Sequence, residues 1–367
     1  MKSLIHRSDS FTLNANTRKP LKDCSPMKRS LSLATLAHLC LLNATVFATQ
    51  ASAAESVTGP LAQKLSGKPP ALSVGGTSAA EIKAKIKSGE IKLGTRVTEL
   101  PPGVEASYDV EYGKGGTTPL LLDLFKPKTI KKPVPGMIFV HGGSWISGSR
   151  KMYGTYCRHF AAKGYVVATI DYRLSGEAPF PAAIQDVNCA IRWMRANAKK
   201  FGVDPNRIGL VGGSAGGHLV MLAAYANAPD PELEGSGGNN DVSTRVQAVV
   251  DIYGPNQLGG RRSRAVVKFM GGKTSNEAPE MYAKASPITH LTKDAPPTLI
   301  LHGTVDELVN ISQSDNLAAR LTELGVPYLY DRIEGWHHAM DIVAEVNAHC
   351  VWMMDQFFAQ VLPLPAS

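Results

Sequence analysis

The chain has 367 residues, 44% hydrophobic and 19% charged, which fits a soluble globular protein built as one large domain or two small ones. Its formal net charge is +8, but residues 1–53 hold seven Lys/Arg against two Asp. Without them the balance is 32 basic to 29 acidic residues, so the charge belongs largely to a leader and a nucleic-acid partner is excluded.

Met27-Lys28-Arg29, the apolar stretch Leu31–Ala48 and Ala51-Ser52-Ala53 follow the order of a secretory signal: charged region, short apolar region, A-x-A cleavage site. The stretch is interrupted by His38 and Asn43, and is too short and polar to span a membrane. We therefore expect a signal peptide over 27–53, cleavage near Ala53, and a secreted or periplasmic product. Residues 1–26 read as a non-native start or a disordered tail. Leu39 before Cys40 argues against a lipid anchor, so no stable membrane attachment is expected. Cys24 and Cys40 leave with the leader. The wide spacing of Cys157, Cys189 and Cys350 fits no metal motif and suits buried small hydrophobes.

Residues 54–77 are rich in Gly, Pro, Ser and Ala and read as a linker. Ser78-Ala-Ala-Glu81 has capping-box spacing before a short charged helix ending near Gly89, so 54–95 reads as linker plus helix, without chemistry. From about 96 onward the pattern is that of one catalytic domain. Ala106–Tyr112, Leu120–Phe125, Met137–Val140 and Tyr165–Ile170 are strand-like. Ala182–Asn197 is helical, with Ala183, Ile184, Val187, Ala190, Ile191 and Met194 on one face. The strand Ile208–Val211 precedes the helix His218–Ala226, and Val246–Ile252 and Thr298–Leu301 are further buried strands. Between those two lies 256–290, a polar, irregular, lid-like insertion expected to roof the site. Leu317, Leu321 and Leu324 mark a helix stopped by Gly325, followed by the strand Tyr328–Ile333 and the helix Ile342–Phe358. Apolar strands alternating with helices imply an α/β fold with a mostly parallel central sheet covered on both faces.

Gly212-Gly-Ser214-Ala-Gly216 falls between one of those strands and the helix after it. A serine becomes a useful nucleophile when a tight strand–turn–helix connection lifts it out and a base lies beside it. The spacing fits no nucleotide loop: no Gly triplet matches G-x-G-x-x-G, and Val267 stands where a P-loop before Gly272-Lys273-Thr274 needs its first glycine. Oxyanion donors should follow an earlier central strand, and His141-Gly142-Gly143-Ser144-Trp145 follows Met137–Val140. The backbone N–H groups of Gly143, Ser144 and Ala215 are the candidates, with His141 buttressing the loop. In this topology the acid and then the base must follow the serine. Asp306, just past Thr298–Leu301, is the candidate acid, with Glu307 and Asp331 as rivals. His337 and His338, in the loop after Tyr328–Ile333, are the candidate bases, and the pattern alone does not choose between them. His349 reads as packing within the last helix.

From Met137 to Phe358 the residues resemble an α/β-hydrolase of the hormone-sensitive-lipase and feruloyl/acetylxylan-esterase (BD-FAE-like) group. The resemblance rests on His141-Gly-Gly-Ser-Trp145, Asp171-Tyr-Arg-Leu174, Pro179-Phe-Pro-Ala-Ala183, Asp204-Pro-Asn-Arg-Ile208, Gly212-Gly-Ser-Ala-Gly-Gly217, Ser286-Pro-Ile288 and His302-Gly-Thr-Val-Asp306, in that order. It implies the α/β-hydrolase fold and, by aligning Gly335-Trp-His-His-Ala-Met340 with Gly-x-Gly-His-Gly-Phe, places the base at His338, while His337 occupies a glycine position. It implies a secreted serine esterase that removes acetyl or feruloyl groups, on plant cell-wall polysaccharide, without cofactor or metal. Ser144-Trp145 in place of a third glycine is similar to polysaccharide-deacylating esterases and kynurenine formamidases, and marks Trp145 as a substrate contact. Arg261 and Arg262, with Arg264, are candidates to meet an acidic sugar. The alternatives are a general short-chain carboxylesterase, an arylformamidase, and a non-catalytic module on a hydrolase fold. Retention of both Ser214 and His338 weighs against the last.

Overall fold

The computed structural model describes residues 57–73, 75–226, 230–259 and 263–366. The expected signal peptide, Cys24, Cys40, Arg261 and Arg262 lie outside the described residues.

In chain order the strands are β1 (Val57–Thr58), β2 (Val104–Gly115), β3 (Thr118–Pro127), β4 (Val134–Val140), β5 (Val166–Ile170), β6 (Val203–Gly213), β7 (Ala248–Ile252), β8 (Thr298–Gly303) and β9 (Tyr328–Ile333). The helices are α1 (Ala79–Ser88), α2 (Gly154–Lys163), α3 (Ala182–Ala196), α4 (Ala198–Phe201), α5 (Ala215–Tyr225), α6 (Pro231–Glu234), α7 (Arg264–Phe269), α8 (Pro279–Lys284), α9 (Ser312–Leu324) and α10 (Ala344–Val361). Among the described residues, these nine strands join one sheet in the order β1-β9-β8-β7-β6-β4-β5-β3-β2. Strands β4 to β9 pair in parallel, and β1, β2 and β3 pair antiparallel. This is the α/β-hydrolase arrangement.

The parallel strands read as continuous apolar runs because both faces are covered. Alternate residues serve opposite faces. Ile138, Val140 and Leu210 pack on one side with Val187, Ile191 and Leu219 of α3 and α5. Met137, Phe139 and Val211 pack on the other with Phe160 of α2 and Phe357 and Phe358 of α10. Helix α2 has no sequence expectation behind it; its four-residue apolar face of Tyr156, Cys157, Phe160 and Ala161 is diluted by Arg158, His159 and Lys163.

Strand β4 pairs with β5 on one side and β6 on the other, so the chain order reverses there. Such a switch point opens a crevice beyond the carboxyl ends of the strands, where open α/β sheets bind ligands. The loop after β4 carries Gly143 and Ser144, and the loop after β6 is Ser214.

The linker expectation is corrected by the structure. Val57 and Thr58 add an edge strand to β9, and residues 59–73 and 75–96 run as a strap against the β9–α10 loop. Gly76 N–H donates to Gly335 O at 2.9 Å, Gly94 N–H to Ile342 O at 2.7 Å, and Ala344 N–H to Lys92 O at 2.9 Å. The Gly/Pro-rich composition reflects close approach rather than freedom: a Cβ on Gly75 would lie 2.4 Å from Gly335 O. Cys157, Cys189 and Cys350 are buried free thiols. Among the described residues no helix is long and apolar enough to cross a membrane.

Candidate active site

Ser214 has φ 55° and ψ −122°, a conformation L-residues avoid. The turn closes because its flanks are glycine: a Cβ on Gly216 would sit 2.0 Å from Val140 O, and one on Gly212 would sit 2.4 Å from the Gly216 carbonyl. Strand β6 therefore passes straight into α5, and Ala215 is the first residue of that helix, with its N–H at the positive dipole end.

Ser214 Oγ lies 2.9 Å from His338 Nε2, and His338 Nδ1 lies 2.7 Å from Asp306 Oδ2. The three side chains come from the ends of β6, β9 and β8. The other oxygen of Asp306, Oδ1, accepts the N–H groups of Leu308 and Val309, each at 2.8 Å. Burial alone would raise the Asp306 carboxyl, but hydrogen bonds from His302 and His338 outweigh it and hold the group well below the usual carboxylate range. It is an anion with a fixed orientation, suited to steady an imidazole in one tautomer.

The rival residues are engaged elsewhere. Glu307 forms an ion pair with Lys83 of α1 and accepts the His338 backbone N–H at 3.4 Å. Asp331 holds His349 Nε2 at 2.6 Å, and His349 Nδ1 meets Pro70 O at 2.9 Å. His337 is buried with Nδ1 lacking a partner, and burial pushes its pKa down.

A cleft of about 630 Å³ opens over Ser214. Gly142, Gly143, Ser144, Gly213 and His338 line it. The loop after β4 takes left-handed turns at Gly143 (φ 113°), Ser144 (φ 56°) and Trp145 (φ 59°). His141 packs beneath it, stacked on Tyr172 at 4.3 Å, and Tyr172 OH donates to His141 O at 3.0 Å. The cleft floor holds a polar cluster that sequence reasoning missed. Tyr253 OH donates to Asp341, and Asn347 Nδ2 donates to Tyr156 OH at 2.8 Å. Burial raises the Asp341 carboxyl, and the Tyr253 ring lies 4.6 Å from the His338 ring. The only signal in the sequence was the closeness of Asp341 to His338. Among the described residues, no group of three or more His, Cys, Asp or Glu side chains is placed to hold a metal ion.

Two expectations fail on geometry. Trp145 does not line the cleft; it is buried, stacked on Phe269 at 4.6 Å, and its Nε1–H donates to His218 Nδ1 at 3.3 Å. The left-handed turn at Ser144 and Trp145 directs the indole into the fold. His218 Nε2 meets Ala285 O at 2.7 Å, and burial lowers its pKa to about 4, so it is a neutral link between this loop and the insertion. The described part of the insertion does not roof the cleft. It folds as α7 and α8 and contributes none of the cleft lining, which comes instead from Gly94–Arg96 of the strap, Met152, Leu308 and Ile342. Arg264 lines a separate groove with Pro179 and Lys268.

The BD-FAE family model matches residues 122–321, more than half of the chain. The chain belongs to the BD-FAE family. It is 37% identical to esterase LipC of Mycobacterium tuberculosis over 61% of this chain and 57% of that protein. It is 32% identical to the probable carboxylic ester hydrolase LipM of the same organism, over 69% of this chain and 61% of that one. The chain thus spans about three fifths of the length of these curated relatives. Among solved structures, the truncated form of a carbohydrate esterase from gut microbiota superposes with a TM-score of 0.60 at 27% identity, covering 72% of this chain and all of that one. Thermogutta terrifontis esterase 2 gives 0.61 at 27% identity, over 74% of this chain and all of that one. The BD-FAE match ends at 321, before His338, so the histidine is placed by the coordinates above and not by the family model.

Proposed function

We propose that this chain is a serine carboxylesterase acting through an acyl-serine intermediate. The observation that carries this is the Ser214–His338–Asp306 chain, at 2.9 and 2.7 Å, opening on a cleft also lined by Gly143 and Ser144. His338 Nε2 takes the Ser214 proton as Oγ bonds to the ester carbonyl carbon. The N–H groups of Gly143 and Ser144 on the cleft wall, with that of Ala215 at the start of α5, are the donors we assign to the oxygen that becomes negative. As the C–O bond breaks, the imidazolium returns that proton to the leaving alcohol. Water then repeats the sequence on the acyl-serine and releases the acid. Ser214→Ala should abolish turnover of p-nitrophenyl acetate with far-UV circular dichroism unchanged; turnover retained by that folded variant would sink the assignment.

For the substrate, acetyl or feruloyl esters on plant cell-wall polysaccharide are supported by the signal-like pattern of residues 27–53, which implies export, and by the likeness to a carbohydrate esterase from gut microbiota. One observation favours a second reading, a general short-chain carboxylesterase: Met152, Leu308 and Ile342 stand exposed on the cleft by 57%, 66% and 51%. Release of acid from acetylated xylan and feruloylated arabinoxylan supports the first reading. Hydrolysis of p-nitrophenyl acetate alone supports the second.

A further inference from the structure

The cleft over Ser214 does not end at His338. A second depression of about 360 Å³ adjoins it, and the two share Leu308, His338, Ala339 and Ile342. Lys83 and Ile86 of α1 line the far side, with Glu307 and His337. The shared ridge is thus apolar and exposed, with two branched aliphatic side chains more than half open to water. Large exposed apolar groups massed at one spot mark a binding surface more often than chance exposure.

The chemistry fixes which half of an ester reaches that ridge. His338 must lie within hydrogen-bond reach of the leaving oxygen, because it returns the Ser214 proton there as the acyl–oxygen bond breaks. The leaving group therefore sits on the His338 side of Ser214, while the carbonyl oxygen faces the oxyanion loop and the acyl chain takes the remaining direction at the tetrahedral carbon. The second depression lies on the His338 side, reached across Leu308 and Ile342.

We propose that Leu308 and Ile342 form a subsite for the alcohol half of the ester, extending to α1, and that the substrates are esters of an apolar alcohol. This rests on the second reading above, the general carboxylesterase, because an ester on polysaccharide would put a sugar rather than an apolar alcohol on this side. The subsite gives α1, outside the span of the family match, a part in selecting the leaving group.

The test is a pair of isomers, hexyl acetate and ethyl hexanoate, assayed by acid release on the full chain. They have the same atoms and nearly the same hydrophobicity, and differ in which half carries the chain. The wild type should favour hexyl acetate in kcat/KM. Leu308→Ser and Ile342→Ser should each lower the ratio of hexyl acetate to ethyl hexanoate by about four-fold, the order expected for one methylene returned to water. Both side chains are surface-exposed, so folding is not at stake, and a thermal melt confirms it. A ratio unmoved in both variants, or a loss that falls on ethyl hexanoate, overturns the subsite while leaving the esterase reading intact. No hydrolysis of either isomer or of p-nitrophenyl acetate by the wild type overturns both.

Discussion

His302 and His338 donate to the same oxygen of Asp306: Oδ2 lies 3.1 Å from His302 Nε2 and 2.7 Å from His338 Nδ1. His302 Nε2 also faces Val309 O at 3.0 Å, so this nitrogen has only acceptors around it and carries the proton. Nδ1 then accepts from the Ser314 hydroxyl at 2.7 Å. The pairing makes His302 a positioning residue for the acid, buried behind it and out of reach of substrate.

Removing His302 should therefore change a pH profile and not only a rate. In His302→Gln, Asp306 loses one of two imidazole donors, so its charge is less dispersed and holds a protonated His338 ring more firmly. The acid limb of kcat/KM should move to higher pH, and Ser314→Ala should shift it the same way by less. Steady-state rates from pH 5 to 9 check this; a limb that stays in place in both variants means that His302 only fills space.

Asp306 also predicts how stability depends on acid. Its folded value lies below the ordinary carboxylate value of about 3.9. A carboxyl depressed on folding contributes stability that is present above the unfolded value and lost as pH falls towards the folded one. Between pH 6 and pH 3 the wild type should lose more stability than Asp306→Asn. Urea unfolding at both pH values measures it, and equal losses in the two proteins would contradict the assignment.

The adjacent histidines separate cleanly. His338→Asn removes the base and should lower kcat by about 10²–10⁴-fold, the range for a positioned base. His337→Asn keeps the Ser214–His338–Asp306 distances and should stay within about ten-fold of wild type. A larger loss for His337 than for His338 in p-nitrophenyl acetate hydrolysis would reverse the roles.

Most of this site was legible because its parts sit next to strong local punctuation. The elbow shows in Gly212 and Gly216, whose missing Cβ atoms let β6, Val140 and α5 meet, and Asp306 shows because a buried strand ends just before it. The parallel core strands were legible as unbroken apolar runs for the same reason. What stayed hidden depends on contacts between distant segments. Trp145 looks like a cleft residue in the sequence because nothing local reveals that Phe269 and His218 wait to pack on it. The cluster of Arg150 with Asp109, Asp123 and Asp171 draws on four separate stretches and leaves no periodic trace. The strap was hidden too, because a Gly/Pro-rich segment reads identically whether it is loose or pressed against a loop.

That strap supplies the last prediction. Three of its contacts fall on residues 335–345, the segment that carries His338: Gly76 on Gly335, Gly94 on Ile342, and the Ser73 N–H on Glu345 at 2.9 Å. Lys83 reaches the same region through Glu307, which accepts the His338 N–H. The tightest of these approaches is at Gly75, where an added Cβ would fall 2.4 Å from Gly335 O and 2.9 Å from the Trp336 ring. Backbone and a fully buried indole cannot yield, so Gly75→Val must lift the strap off the loop. The sheet and the Ser214 elbow are untouched, and kcat for p-nitrophenyl acetate should fall about ten-fold or more because a misplacement near 1 Å at a base is costly. A fluorophosphonate probe that reports Ser214 reactivity should slow in parallel, since it also needs His338 in place. If both rates hold at wild-type values while the strap becomes open to limited proteolysis, the strap is a cover and the histidine loop keeps its own shape.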